Sequence, residues 1–224
     1  MSVKPAKPPS VVLTTRALSC ERDERRLFHD VDFTLMRGQA LRVGGANGSG
    51  KTTLLRGLVG LNIYLEGQFD WVEAERTPFL FMGHRPGISG HLTVLENLTF
   101  LASAHGLAPS TETLMQALAA VSLERFDDSL GHQLSAGQQR RVMLALLHVS
   151  DVPPCWVLDE PFTALDRHGV AELENHLATH CHQGGSVLFS THHEPAHLPY
   201  ETLWLGPEPA QPAVELDGVE EVRA

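Results

Sequence analysis

The sequence of 224 residues has little of what secreted, membrane-spanning or nucleic-acid-binding proteins require. Its three cysteines are few, odd in number and widely separated, so they predict no disulfide framework. No apolar run approaches the roughly twenty residues of a membrane-spanning helix. A formal net charge of −10 disfavours nucleic acid, because phosphate backbones attract clustered lysine and arginine. We therefore expect a globular protein that binds no nucleic acid and does not insert into the bilayer.

The two ends of the chain differ in composition from the rest. Residues 1–10 contain lysines and prolines but no apolar stretch of the kind that forms an export signal. Residues 207–224 combine prolines with acidic side chains. We predict a flexible N-terminus at 1–10, a loose tail at 207–224, and a chain that stays in the cytoplasm.

The most informative segment is rich in glycine. Residues 45–52 give the complete G-x-x-x-x-G-K-[ST] pattern, between an apolar strand pattern at 40–43 and a helical pattern at 53–58. Such a loop turns its backbone N–H groups toward phosphates, its lysine toward the β/γ oxygens and its hydroxyl toward Mg²⁺. The predicted nucleotide-binding residues here are Gly45, Ala46, Asn47, Gly48, Ser49, Gly50, Lys51, Thr52 and Thr53.

A second motif begins at residue 134. Ser135 and Gln138 have the spacing of a capping box, which predicts a helix that starts here and continues through the apolar run 142–147. Taken alone, the motif indicates only a well-capped helix. Since the chain already has one phosphate loop, a second helix start with exposed N–H groups is best explained as an anion site for a partner subunit. The residues of this motif are Leu134, Ser135, Ala136, Gly137 and Gln138.

Together the two motifs resemble those of the ATP-binding subunits of ABC transporters, whose signature sequence usually has glycine where this chain has Ala136. The resemblance implies an α/β fold of the P-loop NTPase class: a RecA-like parallel-sheet core with a β-rich N-terminal part and an inserted helical subdomain. It also implies ATP and Mg²⁺ as cofactors. A second copy of the chain would complete each site, with its signature closing on the bound ATP.

The alternation of strand and helix patterns, combined with this resemblance, gives a domain prediction. We expect one ATPase domain at 11–206, with its core at 11–83 and 151–206 and the helical subdomain at 84–150. Three helices are predicted inside the insert, at 94–105, at 111–122 and from the second motif onward.

Several residues correspond to the family's catalytic positions. The apolar strand pattern 156–160 ends in Asp159 and Glu160, and His192 follows another at 186–189, so both patterns would deliver polar groups to one sheet edge. The resemblance implies that Thr52 and Asp159 hold Mg²⁺ and that Glu160 polarises the attacking water. Lys51 and His192 would contact the terminal phosphates. Asp166 would belong to the D-loop, which crosses the dimer interface.

Two residues depart from the family pattern. Arg85 occupies the position of a glutamine that usually touches Mg²⁺, and arginine has no oxygen to offer a cation. Either water replaces that ligand, or Arg85 turns toward the γ-phosphate or toward a transmembrane partner. We favour the two interpretations in which Arg85 turns. Arg22 stands where an aromatic side chain often stacks on adenine. A guanidinium can also stack on a base, but a solvated charge in the turn 21–26 is an equal alternative.

The thirteen histidines raise the question of a metal site. His176, His180 and His182 lie close to Cys181, and a histidine pair at i, i+4 can bind a metal. The segment is polar and supplies no further ligand. We therefore predict a solvated helix face rather than a metal site.

Three segments, 18–28, 83–87 and 134–142, are together similar to the ATP-binding subunits of cytochrome c maturation, which are haem-exporter ATPases. This resemblance implies a peripheral protein at the cytoplasmic face of the bacterial inner membrane, bound to integral membrane transporter subunits. Its ATP cycle would serve a periplasmic haem chaperone indirectly. The residues themselves indicate no haem site. Another small-substrate ABC transporter, a soluble ABC-type ATPase and a P-loop small-molecule kinase are the alternatives.

Overall fold

The computed structural model describes residues 10–22, 25–62, 64–72, 79–149 and 154–206. The predicted tail at 207–224 and nearly all of the predicted N-terminal segment lie outside the described residues, as does the centre of the turn 21–26. The described residues form eight strands and five α-helices. The strands are β1 (Val11–Arg22), β2 (Arg25–Met36), β3 (Ala40–Gly44), β4 (Leu65–Trp71), β5 (Phe79–Met82), β6 (Cys155–Asp159), β7 (Ser186–Ser190) and β8 (Glu201–Trp204). The helices are α1 (Lys51–Leu58), α2 (Val94–Ala104), α3 (Thr111–Ala120), α4 (Ala136–Ala145) and α5 (Arg167–His182).

The central sheet has five strands in the order β5-β6-β7-β3-β8. Every neighbouring pair in it is parallel. All residues of β6 and β7 are buried, as expected for strands covered on both faces. The parallel sheet anticipated from the sequence is present. A second sheet, with the order β2-β1-β4, is antiparallel and forms the β-rich N-terminal part.

Alternating residues of the central strands point to two separate hydrophobic clusters. On one face, Cys155 and Val157 of β6 pack with helix α1 and with the antiparallel sheet. On the other face, Trp156 and Leu158 pack with helices α2 to α5. The central sheet is therefore the middle layer of the molecule.

Three helices, α2 to α4, follow one another between β5 and β6. Each begins at a side-chain cap, formed by Thr93, Ser110 and Ser135 respectively. Such caps satisfy N–H groups that have no partner within the helix, and they fix where each helix starts. The predicted helices at 94–105 and 111–122 correspond to α2 and α3, whereas the division into core and helical subdomain stays a prediction.

The parallel arrangement determines where the loops of interest lie. Strands β3, β5, β6 and β7 all end at the same edge of the sheet. Ligand sites in open α/β sheets form outside this carboxyl edge. The phosphate loop, Arg85, Glu160 and His192 each follow one of these strands.

Candidate nucleotide-binding site

The phosphate loop joins β3 to α1 and curls around its own lysine. Lys51 Nζ donates hydrogen bonds to the carbonyl oxygens of Gly45 and Ala46 at 2.8 and 3.0 Å. Helix α1 begins at Lys51, two residues earlier than predicted, after Gly50 in a left-handed conformation with φ 100°. A Cβ on Gly50 would lie 2.8 Å from the ring of Phe28, so glycine is needed for this close approach.

The lysine lies among opposing electrostatic influences. Burial lowers the pKa of Lys51, while the negative charges of Glu160 and Asp159 act to raise it. The two carboxylates are therefore close enough to affect the ammonium group. This agrees with their predicted convergence at the carboxyl edge.

Asp159 is held by two hydroxyl groups and is almost completely buried. Thr52 Oγ1 donates to Asp159 Oδ1 at 3.0 Å, and Ser190 Oγ donates to the same oxygen at 2.7 Å. Hydroxyl and carboxylate oxygens are the ligand types that Mg²⁺ prefers. The chemistry of Thr52 and Asp159 thus matches the predicted metal site.

Glu160 has an unusual backbone conformation for a residue with a side chain, with φ 53°. Its N–H donates to both oxygens of Ser190 at 3.1 Å. Its carboxylate accepts the backbone N–H of His192 at 3.3 Å, and His192 Nε2 lies 3.4 Å from Oε1. The His192 side chain is 60% exposed, against 16% for Glu160, so the imidazole forms the outer member of the pair. Backbone conformations of this kind are held in place by their surroundings and are frequent at functional sites.

The predicted capping box at the second motif is present. Ser135 Oγ accepts the N–H of Gln138 at 3.2 Å, and Gln138 Oε1 accepts the N–H of Ser135 at 2.9 Å. Leu134 is buried and anchors the motif, while Ser135 and Ala136 are exposed at the helix start. Ser135 precedes α4, so the first N–H groups of this helix lie at the surface.

Two contacts join helix α4 to the loop that contains Asp166. A Cβ on Gly137 would lie 2.8 Å from the carbonyl oxygen of Ala164, which shows how closely the two backbones approach. Arg141 Nη2 lies 3.2 Å from each carboxylate oxygen of Asp166. Asp166 also caps α5 by accepting the N–H of Gly169 at 2.8 Å, and this bond, together with Arg141, lowers the pKa of Asp166.

The two arginines that depart from the family pattern lie at the surface. Arg85 is exposed in the loop after β5 and makes no hydrogen bond or ion pair with any residue that the structure describes. Arg22 is exposed at the end of β1, where its register partner is Arg25. The aromatic residue that packs against the phosphate loop is Phe28 instead. The predicted adenine contact of Arg22 stays a prediction.

Two buried charged residues beside the site were not predicted from the sequence. Glu174 is 2% exposed and accepts a hydrogen bond from His193 Nε2 at 2.7 Å. It also accepts the backbone N–H groups of Ala196 and His197 at 3.0 and 2.8 Å, so it fixes the segment after His192. The second residue, Arg140, donates a hydrogen bond to the carbonyl oxygen of Glu160. The helical spacing of the sequence could have indicated that both residues are buried. Each lies three, four or seven positions from buried apolar residues on the same helix face.

The prediction of a solvated histidine face on α5 was wrong for two of its three members. The ring of His180 stacks on Trp156 at 3.5 Å, and the ring of His176 stacks on His148 at 3.9 Å. Burial lowers the pKa of His148, His176 and His180, to about 4 for His148 and His180. His176 and His180 are packing residues, because their rings stack on the ring of Trp156. His182 is exposed.

The described residues contain neither a membrane-spanning helix nor a cluster of metal-binding side chains. None of the helices that the structure describes is long and apolar enough to cross a bilayer. In the same ranges, no three histidine, cysteine, aspartate or glutamate side chains are grouped as a metal site would require.

Known proteins resemble this chain over most of its length. Residues 28–163 match the family described as ABC transporter. The cytochrome c biogenesis ATP-binding export protein CcmA of Pseudomonas putida is 50% identical over 204 residues, which cover 87% of this chain and 96% of the relative. The protein of the same name from Photobacterium profundum is 43% identical, with 82% and 93% covered. A solved ATP binding subunit of an ABC transporter gives a TM-score of 0.70 at 28% identity, covering 81% of this chain and 79% of that one. The expected P-loop α/β fold class is thereby confirmed, and the chain belongs to the ABC transporter family, in the group of the cytochrome c biogenesis ATP-binding export proteins.

Proposed function

We propose that this chain is the ATP-hydrolysing subunit of a membrane ABC complex for cytochrome c maturation, which converts ATP and water to ADP and phosphate. The observation that carries the proposal is the convergence of Lys51, Asp159, Glu160 and His192 at the carboxyl edge of the sheet. The names of the relatives supply the process, since those proteins are described as cytochrome c biogenesis export proteins.

The phosphate loop would bind the triphosphate. Lys51 now donates to the carbonyls of Gly45 and Ala46, and it would exchange these partners for β- and γ-phosphate oxygens. The N-terminus of α1 faces the same phosphate-binding loop, and the positive end of its helix dipole favours negative charge there.

Thr52 and Asp159 would hold Mg²⁺, and the ion would neutralise charge that develops on the phosphates during transfer. The existing Thr52–Asp159 hydrogen bond places the two oxygens on one side of the loop. Arg85 contributes no ligand of this kind. We propose that it contacts the γ-phosphate or a membrane partner instead, because its side chain is exposed beside the site.

Glu160 would act on the attacking water. Its carboxylate would accept a hydrogen bond from that water and polarise it for attack on the γ-phosphorus, with ADP as the leaving group. His192 would orient the carboxylate through its backbone N–H and Nε2, and the exposed imidazole would reach the γ-phosphate. Both groups therefore act at the same end of the nucleotide.

A second copy of the chain would complete each site. The exposed helix start at Ser135 and Gly137 would bind the γ-phosphate of ATP held by the partner's loop. Gly137 contacts the backbone of the loop that carries Asp166. Closure of one ATP site would therefore change the position of this loop and so affect the other ATP site. Loss of the γ-phosphate removes the charge that holds the partner, so hydrolysis would open the dimer.

We further propose that the chain binds integral membrane subunits at the cytoplasmic face of the bacterial inner membrane. The cycle would then either move haem outward or release a haem-loaded periplasmic chaperone. Co-purification with a multi-span membrane protein tests the location. The haem content of the chaperone in a strain carrying the Glu160→Gln variant distinguishes the two alternatives. A haem-free chaperone would support outward transport of haem by the cycle. A haem-loaded chaperone retained on the complex would support ATP-driven release of the chaperone.

The catalytic proposal is tested by Glu160→Gln, which keeps the shape of the side chain and removes its charge. ATP affinity should change little, hydrolysis should fall by about 100-fold or more, and ATP should trap a dimer. Nucleotide binding, phosphate release and molar mass in solution measure the three effects. Unchanged hydrolysis would refute the assignment of Glu160.

A further inference from the structure

Arg140 is a buried cation whose hydrogen-bond partners, among the residues that the structure describes, are main-chain carbonyls. It is 2% exposed. Its guanidinium donates to five carbonyl oxygens, which belong to Gly83, His84, Asp159, Glu160 and Pro161. The donor–acceptor distances to Gly83, His84, Asp159 and Pro161 lie between 3.1 and 3.3 Å.

The partners of Arg140 come from two loops at the carboxyl edge. Gly83 and His84 follow β5, and Asp159 to Pro161 are the end of β6 and the residues after it. Arg140 itself lies on α4, within two turns of the exposed Ser135 cap. A single side chain thus connects helix α4, the loop of Arg85 and the backbone of Glu160.

Arginine is suited to this position in a way that other residues are not. Its planar group presents five N–H donors in fixed directions, whereas lysine offers three donors from one point. Burial lowers the pKa of Arg140 to about 10, and the negative charges of Asp159 and Glu160 oppose that effect, so the group remains charged at neutral pH. Its orientation is set by both loops at once.

The residue that most needs such support is Glu160. Its φ of 53° is unfavourable for a side-chain residue, so it persists only if the neighbouring groups hold it. Ser190 holds the Glu160 N–H, and Arg140 holds the Glu160 carbonyl. The two anchors act on opposite ends of the same residue, and neither touches its carboxylate.

We propose that Arg140 is a positioning residue for ATP hydrolysis, which fixes the backbone of Glu160 so that its carboxylate faces the attacking water. The inference rests on the proposed role of Glu160. Arg140 bonds the carbonyl oxygen of Glu160 and not its carboxylate, so it would act through the backbone position of Glu160.

The first test is Arg140→Lys in the full-length chain. It keeps the charge but cannot bond both loops, so kcat should fall by about 10- to 100-fold with the KM for ATP within about 2-fold of wild type. Arg16→Lys is the matched control, because Arg16 is exposed on β1, away from the site, and should leave both constants unchanged.

The second test combines Arg140→Lys with Glu160→Gln. If Arg140 acts through Glu160, adding Arg140→Lys to the Glu160→Gln chain should change the residual rate by less than about 2-fold. Equal losses of rate in both backgrounds would overturn the inference.

A structural role of Arg140 would give a different pattern. Arg140→Gln serves as a second variant, and nucleotide affinity with far-UV circular dichroism shows whether each variant is folded. Loss of binding and turnover together in both variants would mean that Arg140 only supports the fold, and would also overturn the inference. If Glu160→Gln itself hydrolyses ATP normally, the proposed function fails instead, whatever Arg140→Lys does.

Discussion

The stacked histidines make the stability of this protein sensitive to mild acid. His148 and His180 are packed in the layer around Trp156 and have pKa values of about 4. His180 Nε2 faces the carbonyl oxygen of Pro154 at 3.0 Å, so the neutral ring donates there. Protonation would place charge next to Trp156 and next to His176, which also lies in the stack.

The size of the effect follows from linkage. An unfolded histidine has a pKa of about 6.5. Because the folded values are lower, the unfolded chain binds more protons between about pH 6.5 and pH 4, and stability falls as the pH is lowered through that window. Each ring contributes at most about 1.4 kcal/mol per pH unit. After allowance for solvent screening of partly exposed rings, we expect the pair to lower the unfolding free energy by about 2 kcal/mol between pH 7 and pH 5.

Urea unfolding followed by far-UV circular dichroism at pH 7 and pH 5 measures this difference. His148→Phe keeps an aromatic ring and His180→Gln keeps a donor for Pro154, and neither replacement titrates in this range. The double variant should therefore lose most of the excess sensitivity to acid. His91→Gln, at an exposed histidine, is the control. The reasoning is refuted if the double variant and the wild type lose the same stability between the two pH values.

Two further predictions concern the loops of the site. Gly137→Ala places a Cβ 2.8 Å from the Ala164 carbonyl oxygen, so α4 or the neighbouring loop must shift. We expect the unfolding free energy, measured in urea, to fall by about 1–3 kcal/mol. An unchanged unfolding free energy would show that the contact is not tight. Arg85→Gln should alter ATP turnover, or its stimulation by membrane subunits, several-fold in a phosphate-release assay. A variant that matches the wild-type rate both in the presence and in the absence of those subunits would contradict a role for Arg85.

The features that were predictable from the sequence are local ones. The phosphate loop and the Ser135–Gln138 capping box are defined by spacings within a few residues, so the chain itself sets their geometry. The parallel strands were also predictable, because burial on both faces requires continuous apolar runs such as residues 155–158. Knowing that these strands are parallel was enough to place Glu160 and His192 together.

The features that escaped prediction depend on partners far away in the chain. Arg140 bonds carbonyl oxygens, which every residue type carries, so nothing in the sequence marks residues 83, 84 or 161 as its partners. Glu174 likewise binds backbone N–H groups beyond β7. His176 and His180 look polar by composition, and only the contact of α5 with Trp156 turns them into packing residues.

A subunit-mixing experiment tests most directly whether two copies share each ATP. Lys51→Ala disables the phosphate loop, and Ser135→Asp keeps a capping side chain but repels phosphate. Each variant alone should hydrolyse little ATP. An equal mixture should recover roughly a quarter of wild-type activity, because about half of the dimers are mixed and each of these has one intact site. No recovery on mixing, or full activity of Ser135→Asp alone, would contradict the shared site.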